Sequence, residues 1–144
     1  RLALEKAQAE IPNLSDRDLF FAYYNLGSNL VGLEDYAGAA QAYDQAWALY
    51  PIIPEEDRPW RVLWYMDGPY AAYFHTGRYQ DVLNHGNQTL NNAGGPVLEE
   101  TFYWLGRARE ATGDLEKAVY DYQKAVEINP SSTPARQELQ HLGY

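Results

Sequence analysis

The residues that could do acid–base or metal chemistry are few and scattered. None of the three histidines, His75, His85 and His141, forms an H-x₃-H or H-E-x-x-H pair of the kind that holds zinc. Cysteine is absent, which excludes thiolate catalysis, disulfides and cysteine-based metal sites. The sequence therefore predicts no catalytic residue, no metal site and no cofactor, and any catalytic activity is expected in a domain upstream of Arg1.

Paired carboxylates are the next candidates for chemistry, and they occur as Glu99-Glu100 and Glu55-Glu56-Asp57. Both groups stand where helices are expected to start, and the partial positive charge of a helix N-terminus favours acids there. The sequence contains no nucleophile elbow, phosphate-binding loop or dinucleotide fingerprint. We therefore interpret these acids as structural, and we predict that the chain is not an enzyme.

The charge of the chain limits its partners. Its net charge is −9, with 20 acids against 11 bases, which argues against nucleic acids and anionic membranes as partners. From Asp18 to Asp57 there are seven acids and no basic residue, which predicts either a solvated acidic face or a surface that steers a basic partner. No apolar run reaches the roughly 18 residues of a membrane span. We expect a soluble domain, from a cytoplasmic or an extracytoplasmic portion of a larger bacterial protein.

Two stretches of the chain repeat each other, and the repeat predicts helices that position the candidate residues. Phe20–Pro51 and Glu99–Pro130 align without a gap, and a proline, which cannot continue a helix, closes each unit. The period of about 34 residues predicts a helix–turn–helix repeat. The identical pairs are Tyr24/Tyr103, Leu26/Leu105, Gly27/Gly106, Asp35/Asp114, Ala39/Ala118, Tyr43/Tyr122, Ala46/Ala125 and Pro51/Pro130.

This pattern resembles the tetratricopeptide repeat. The resemblance implies an all-α fold, a right-handed superhelix of antiparallel helix pairs, with about three repeats plus a C-terminal capping helix and no strand. We expect one domain over residues 1–144. Its parts are expected to be a half repeat at 1–14, repeats at 20–53, 63–96 (degenerate) and 99–132, an insertion at 54–62 and the capping helix at 133–144.

In the first full repeat we expect helices over about Leu19–Gly32 and Tyr36–Tyr50. Gly27 and Ala39 occupy the positions where the two helices cross most closely, and only small side chains allow that approach. Tyr43 is expected to fill the space beside them.

Prolines give the expectations for the less regular segments. Pro69 stands inside the expected first helix of the middle repeat and should kink or interrupt it. Pro59 suits a first helical position, so the insertion could lengthen that helix. Thr133 is expected to cap the last helix, with Pro134 as its first residue.

The resemblance also implies that the first helix of each repeat lines a concave groove, through repeat positions 2, 5, 6, 9, 12 and 13. Large rings at these positions bind extended apolar or proline-rich peptide, and they stack on cations. We predict a scaffold that binds an apolar, proline-rich or basic peptide or partner segment; a groove filled by the protein's own side chains is the alternative. The candidate groove residues are Phe21, Tyr24, Asn25, Ser28, Trp64, Asp67, Phe74, Tyr103, Trp104 and Arg107.

One subclass of this family binds a C-terminal carboxylate through Lys, Asn and Arg at positions 2, 5, 6 and 9. In this chain position 5 is Tyr24, Asp67 and Tyr103, and only Asn25 and Arg107 survive from such a pattern. We therefore predict that the chain does not bind the acidic C-terminal tails of chaperones.

Two other functions stay open. The run from Pro59 to Tyr70, followed by Tyr73 and Gly77–Val82, resembles the repeat tails of papain-like cysteine peptidase proteins secreted by bacteria. That resemblance implies an accessory domain that orients a substrate or binds the cell envelope. Alternatively, residues 1–13 look like half a repeat without its partner helix, and such an uncapped face would allow self-association into homo-oligomers.

Overall fold

The computed structural model describes residues 14–65, 67–93 and 98–144. These residues contain three helix pairs, a final single helix and no strand, which confirms the predicted all-α fold of three repeats and a capping helix. The half repeat predicted at 1–14 lies outside the described residues, apart from Leu14. The α-helices are α1 (Asp16–Gly32), α2 (Tyr36–Leu49), α3 (Asp67–His75), α4 (Tyr79–Ala93), α5 (Glu99–Ala111), α6 (Leu115–Ile128) and α7 (Thr133–His141), and two 3₁₀ helices span Glu55–Asp57 and Trp60–Tyr65.

The chain divides into two compact units, Arg1–Arg61 and Val62–Tyr144. None of the described helices combines the length and the apolar character that a bilayer crossing demands.

The close helix crossing predicted from the small residues is confirmed in both regular repeats. A methyl group on Gly27 would lie 2.7 Å from the Tyr43 ring, and one on Gly106 would lie 2.6 Å from the Tyr122 ring. Each glycine therefore leaves the space that a tyrosine of the partner helix fills. Ala39, in the first repeat, is fully buried at its crossing.

The three turns between paired helices share one backbone geometry. The residue at the corner, Glu34, Gly77 or Gly113, has a positive φ of 59°, 75° or 88°. In each turn the next amide donates to the carbonyl five residues earlier, with N···O distances of 2.9 Å (Asp35 to Leu30), 2.8 Å (Arg78 to Tyr73) and 2.9 Å (Asp114 to Arg109). The middle repeat thus turns like the other two, although its sequence has diverged.

Of the two outcomes predicted at Pro69, a kink or an interruption, the second holds, since a 3₁₀ helix ends at Tyr65 and the α-helix begins only at Asp67. The helix α3 begins at Asp67, so Pro69 is its third residue, and the amides of the first turn have no partner within the helix in any case. A proline at this place removes no intrahelical hydrogen bond, and the helix has no reason to bend there.

The insertion does not lengthen α3 as an α-helix. Pro59 directly precedes a 3₁₀ helix, Trp60–Tyr65. The loop before it is fixed by Arg58, whose guanidinium donates to the carbonyls of Ile53 (2.9 Å) and Pro51 (3.0 Å). Local hydrogen bonds and the buried Ile53 side chain therefore shape this segment.

Helix starts differ from the expectations by a few residues. Ser15 caps α1, since its hydroxyl accepts from the Asp18 amide at 3.1 Å, so this helix begins before the expected Leu19. Thr133 is the first residue of α7 and not its cap, and the preceding Ser132 makes no capping hydrogen bond.

The last helix covers the apolar face of the third repeat. Ala135 is buried together with Phe102, Tyr122 and Ala125, and Leu139 packs against the same cluster. This confirms the capping role predicted for α7.

Candidate functional site

Within the unit Val62–Tyr144, polar and aromatic residues line one face of α5. Those of α5 are Glu99, Glu100, Tyr103, Trp104, Arg107, Glu110 and Ala111. Steps of three and four residues place them on the same side of the helix. Residues of α3 form one wall, and α7 with the loop before it forms the other. We call this surface the α5 groove.

The end of the groove next to the α5 N-terminus is a cavity of about 370 Å³. Its indole wall, Trp104, is 8% exposed and donates from Nε1 to Asp67 Oδ1 at 2.6 Å. On the other side Asn129 Nδ2 donates to Glu99 Oε1 at 2.6 Å. Its lining residues are Asp67, Glu99, Glu100, Tyr103, Trp104, Asn129 and Ser131–Pro134, which include three carboxylates and no basic side chain among the residues that the structure describes.

The other end is a cavity of about 320 Å³, lined by Phe74, Arg107, Glu110, Ala111 and Glu138. The Arg107 guanidinium lies over the Phe74 ring, 4.5 Å from its centroid, and its Nη1 is 4.0 Å from Glu138 Oε1.

The same nitrogen of Arg107 donates to Tyr103 Oη at 2.7 Å. Burial alone would lower the pKa of Arg107, but the Tyr103 hydrogen bond and the Glu138 charge raise it above its usual value. Arg107 therefore stays cationic, with the Tyr103 hydroxyl as its hydrogen-bond acceptor and the Glu138 carboxylate facing it.

A buried tyrosine holds one of the carboxylates of this second cavity in place. Tyr122 is fully buried, and its Oη donates to Glu110 Oε2 at 2.7 Å. Burial, together with the Glu110 carboxylate, raises the pKa of the Tyr122 phenol, so it remains a neutral donor. Within the described lining of the groove, five carboxylates (Asp67, Glu99, Glu100, Glu110 and Glu138) thus stand against one guanidinium, Arg107. These acids do not converge as metal ligands, since no described group of three or more His, Asp or Glu side chains is placed to hold an ion.

Five of the groove residues expected from the sequence are brought together here: Asp67, Phe74, Tyr103, Trp104 and Arg107. Trp64 belongs to the same unit but is not among the residues that line either cavity. It lies in the 3₁₀ helix that precedes α3 and is half-buried.

The other four candidates belong to the unit Arg1–Arg61. Phe21, Tyr24, Asn25 and Ser28 share one face of α1, as their spacing requires. Tyr24 is half-buried against the Tyr43 ring at 5.2 Å, and the Ser28 hydroxyl lies 3.1 Å from Tyr43 Oη. Asn25 is exposed. Their role in a peptide groove stays a prediction.

Sequence reasoning missed the wall contributed by the last helix and the loop before it, which includes Asn129, Pro134 and Glu138. The repeat spacing could have predicted this wall, because α7 begins 34 residues after α5 and so continues the repeat. In that register Pro134 and Glu138 occupy positions 2 and 6, which the resemblance assigns to the groove. Treating α7 only as a cap hid this contribution.

Comparison with known proteins identifies the repeats. Residues 22–52 and 99–132 each match the tetratricopeptide repeat family. These two segments are thus tetratricopeptide repeats, as the alternation of small and large residues indicated.

The similar curated proteins are longer than this chain. It is 30% identical over 113 residues to an FK506-binding protein-like protein of Mus musculus (78% of this chain, 32% of that protein). It is 26% identical over 113 residues to small glutamine-rich tetratricopeptide repeat-containing protein 2 of Mycosarcoma maydis (78% and 29%), and 29% identical over 107 residues to heat shock protein STI1 of Saccharomyces cerevisiae (74% and 18%). The chain therefore spans about a fifth to a third of the length of these relatives.

A solved structure with the same fold is the first tetratricopeptide domain of Spaghetti (RPAP3) bound to the HSP90 peptide SRMEEVD. Its TM-score is 0.67 at 20% identity, over 85% of this chain and 89% of that one. This likeness shows the fold. None of these relatives supports the resemblance to the repeat tails of bacterial cysteine peptidases.

Proposed function

We propose that this chain is a peptide-binding module and that the α5 groove is part of its binding surface. The observation that carries the proposal is the line of side chains along α5 from Glu100 to Ala111, between walls supplied by α3 and α7. At about 1.5 Å per helical residue this line is about 17 Å long. An extended peptide of about five residues, at about 3.3 Å each, has the same length.

The chemistry of the groove suits a peptide. Tyr103 and Phe74 are half-buried, so part of each ring is still available for a partner side chain to cover. The fold gives independent support, because the similar domain of Spaghetti holds a heptapeptide, SRMEEVD. We find no comparable support for an accessory role in a peptidase.

The test is a display screen of random peptides against the chain, repeated with a variant whose groove is blocked. Ala111 is exposed and lines the groove, so Ala111→Trp should fill part of it without disturbing the core. Glu116→Trp is the matched control, because Glu116 is exposed on α6 and lines neither cavity. Both variants must retain the helical circular dichroism of the wild type.

We expect peptides that bind the wild type and the Glu116→Trp variant but do not bind the Ala111→Trp variant. Hits that bind all three proteins alike would refute the assignment of the groove. Alanine replacement of Trp104 is unsuitable for this purpose, because its ring is buried and hydrogen-bonded, and the variant would confuse loss of binding with loss of fold.

A further inference from the structure

We infer that the partner peptide carries a basic side chain, Lys or Arg, in the cavity lined by Asp67, Glu99 and Glu100. This inference rests on the proposed function and names the chemistry of its ligand. A groove of this kind differs from one that binds an acidic C-terminal tail.

The charge of this cavity supports a cationic occupant. Asp67, Glu99 and Glu100 line it, and no described basic side chain does. The N-termini of α3, α5 and α7 also meet here, and each contributes about half a positive charge. Three carboxylates exceed that contribution by about 1.5 charges, so the cavity is anionic even when the helix dipoles are included.

The carboxylates are placed to receive a donor. Within the part of the chain that the structure describes, Asp67 Oδ1 accepts a hydrogen bond from Trp104 and Glu99 Oε1 accepts one from Asn129. Glu100 is exposed at the cavity rim. An ammonium or guanidinium group is the donor that satisfies several carboxylate oxygens together.

The walls suit the rest of a Lys or Arg side chain. The rings of Tyr103 and Trp104 meet nearly edge to face, with centroids 5.3 Å apart, and Pro134 lines the same cavity. The half-buried Tyr103 ring and the exposed Pro134 ring can pack against the apolar stem of a basic side chain, while the aromatic face of Tyr103 attracts its charge.

The groove's one described cation, Arg107, does not favour an acidic tail. It lies over Phe74, donates to Tyr103 and faces Glu138. A peptide carboxylate would have to compete with these contacts and would meet the carboxylates of Glu110 and Glu138 in the same cavity.

The experiment compares two labelled heptapeptides by fluorescence anisotropy at low salt. One is SRMEEVD with a free C-terminus; the other is SRMKKVK with an amidated C-terminus. We expect the basic peptide to bind the wild type at least about tenfold more tightly. Raising the salt concentration should weaken its binding, because exposed charges are screened.

Charge reversal at one site distinguishes the cavity from the general negative charge of the chain. Glu100→Lys should lower the affinity for the basic peptide at least about tenfold. Glu116→Lys makes the same change of net charge on α6 and should change that affinity less than about threefold. Tighter binding of SRMEEVD to the wild type would overturn the inference, as would equal effects of the two variants or no binding of the basic peptide.

The display screen separates this inference from the proposal on which it rests. Hits that depend on the groove and are enriched in Lys or Arg support both. Groove-dependent hits without basic residues, or with acidic C-termini, overturn the inference and leave peptide binding standing. A complete lack of groove-dependent hits overturns the proposed function itself.

Discussion

Replacing Gly106 by alanine should destabilise the protein, although alanine is the better helix former. In the interior of α5 the exchange alone should gain about 1 kcal/mol. The added methyl group, however, would lie 2.6, 2.8 and 3.0 Å from three carbon atoms of the Tyr122 ring. Carbon atoms do not approach so closely without a shift of one partner, so the outcome depends on whether Tyr122 can move.

The surroundings of Tyr122 hold its ring in place. The ring is fully buried beside Ala118 and Ala125, and its hydroxyl is bonded to Glu110 at 2.7 Å. Overpacking a site of this kind costs about 1–3 kcal/mol. After subtraction of the gain in helix propensity, we expect Gly106→Ala to lower the free energy of unfolding by about 1 kcal/mol.

Urea unfolding followed by far-ultraviolet circular dichroism at 25 °C measures this difference. The control is Gly32→Ala at the end of α1, where an added methyl group meets nothing within 4 Å; this variant should be at least as stable as the wild type. Gly27→Ala, whose methyl group would lie 2.7 Å from Tyr43, should behave like Gly106→Ala. If Gly106→Ala proves as stable as Gly32→Ala, the packing argument is refuted.

Three other changes test the structure. Burial raises the pKa of Asp121 to about 6 despite the Arg109 guanidinium at 2.5 Å, so a proton bound there stabilises the folded state. In urea titrations the free energy of unfolding of the wild type should therefore rise by up to about 3 kcal/mol, relative to that of Asp121→Asn, as the pH falls from 7 to below 4. A difference in unfolding free energy between the two proteins that does not change with pH would contradict this. Trp104→Ala should cost about 3–5 kcal/mol in the same assay, since the indole is 8% exposed, and a loss below 1 kcal/mol would mean that the ring is not part of the core. Asp35→Ala removes the cap that accepts from the Gly38 amide at 3.0 Å and should lower the unfolding free energy by about 1 kcal/mol, whereas Asp35→Asn should retain most of it.

The regular repeats could be predicted from the sequence because helix packing restricts the size of the residue at particular positions. Gly106 and Ala118 must be small where two helices cross, and Tyr122 must be large beside them. These requirements recur at a fixed spacing, so the pattern gives both the helices and their contact.

The middle repeat could not be predicted to the same degree, because the effect of a proline depends on how far it lies from the start of the helix, and the sequence does not show where this helix begins. Pro69 would kink a helix that started well before it but is harmless in the first turn of α3. Which case holds depends on where the α-helix begins, and it begins only after the 3₁₀ helix Trp60–Tyr65, which the spacing of apolar residues did not predict.

The groove residues on the helix faces could be predicted, on α5 and also on α3 with Asp67 and Phe74, whereas the wall formed by the loop before α7 could not. The spacing of Tyr103 and Arg107 along α5 places them together without further information. The bond from Trp104 to Asp67 joins residues 37 apart in the chain, and Asn129 comes from a loop, so neither contact could be derived from periodicity. Aromatic spacing alone also does not show that the Trp104 ring is buried.

The shared corner at Glu34, Gly77 and Gly113 has a consequence for protein engineering. Because the three turns inside the repeats form the same backbone hydrogen bond, these corners do not distinguish one repeat from another. Groove residues could then be transplanted from one repeat to another, or replaced by a designed set, while the corners serve as a constant frame. New binding specificities could then be introduced on α5 and its counterparts without redesigning these three corners.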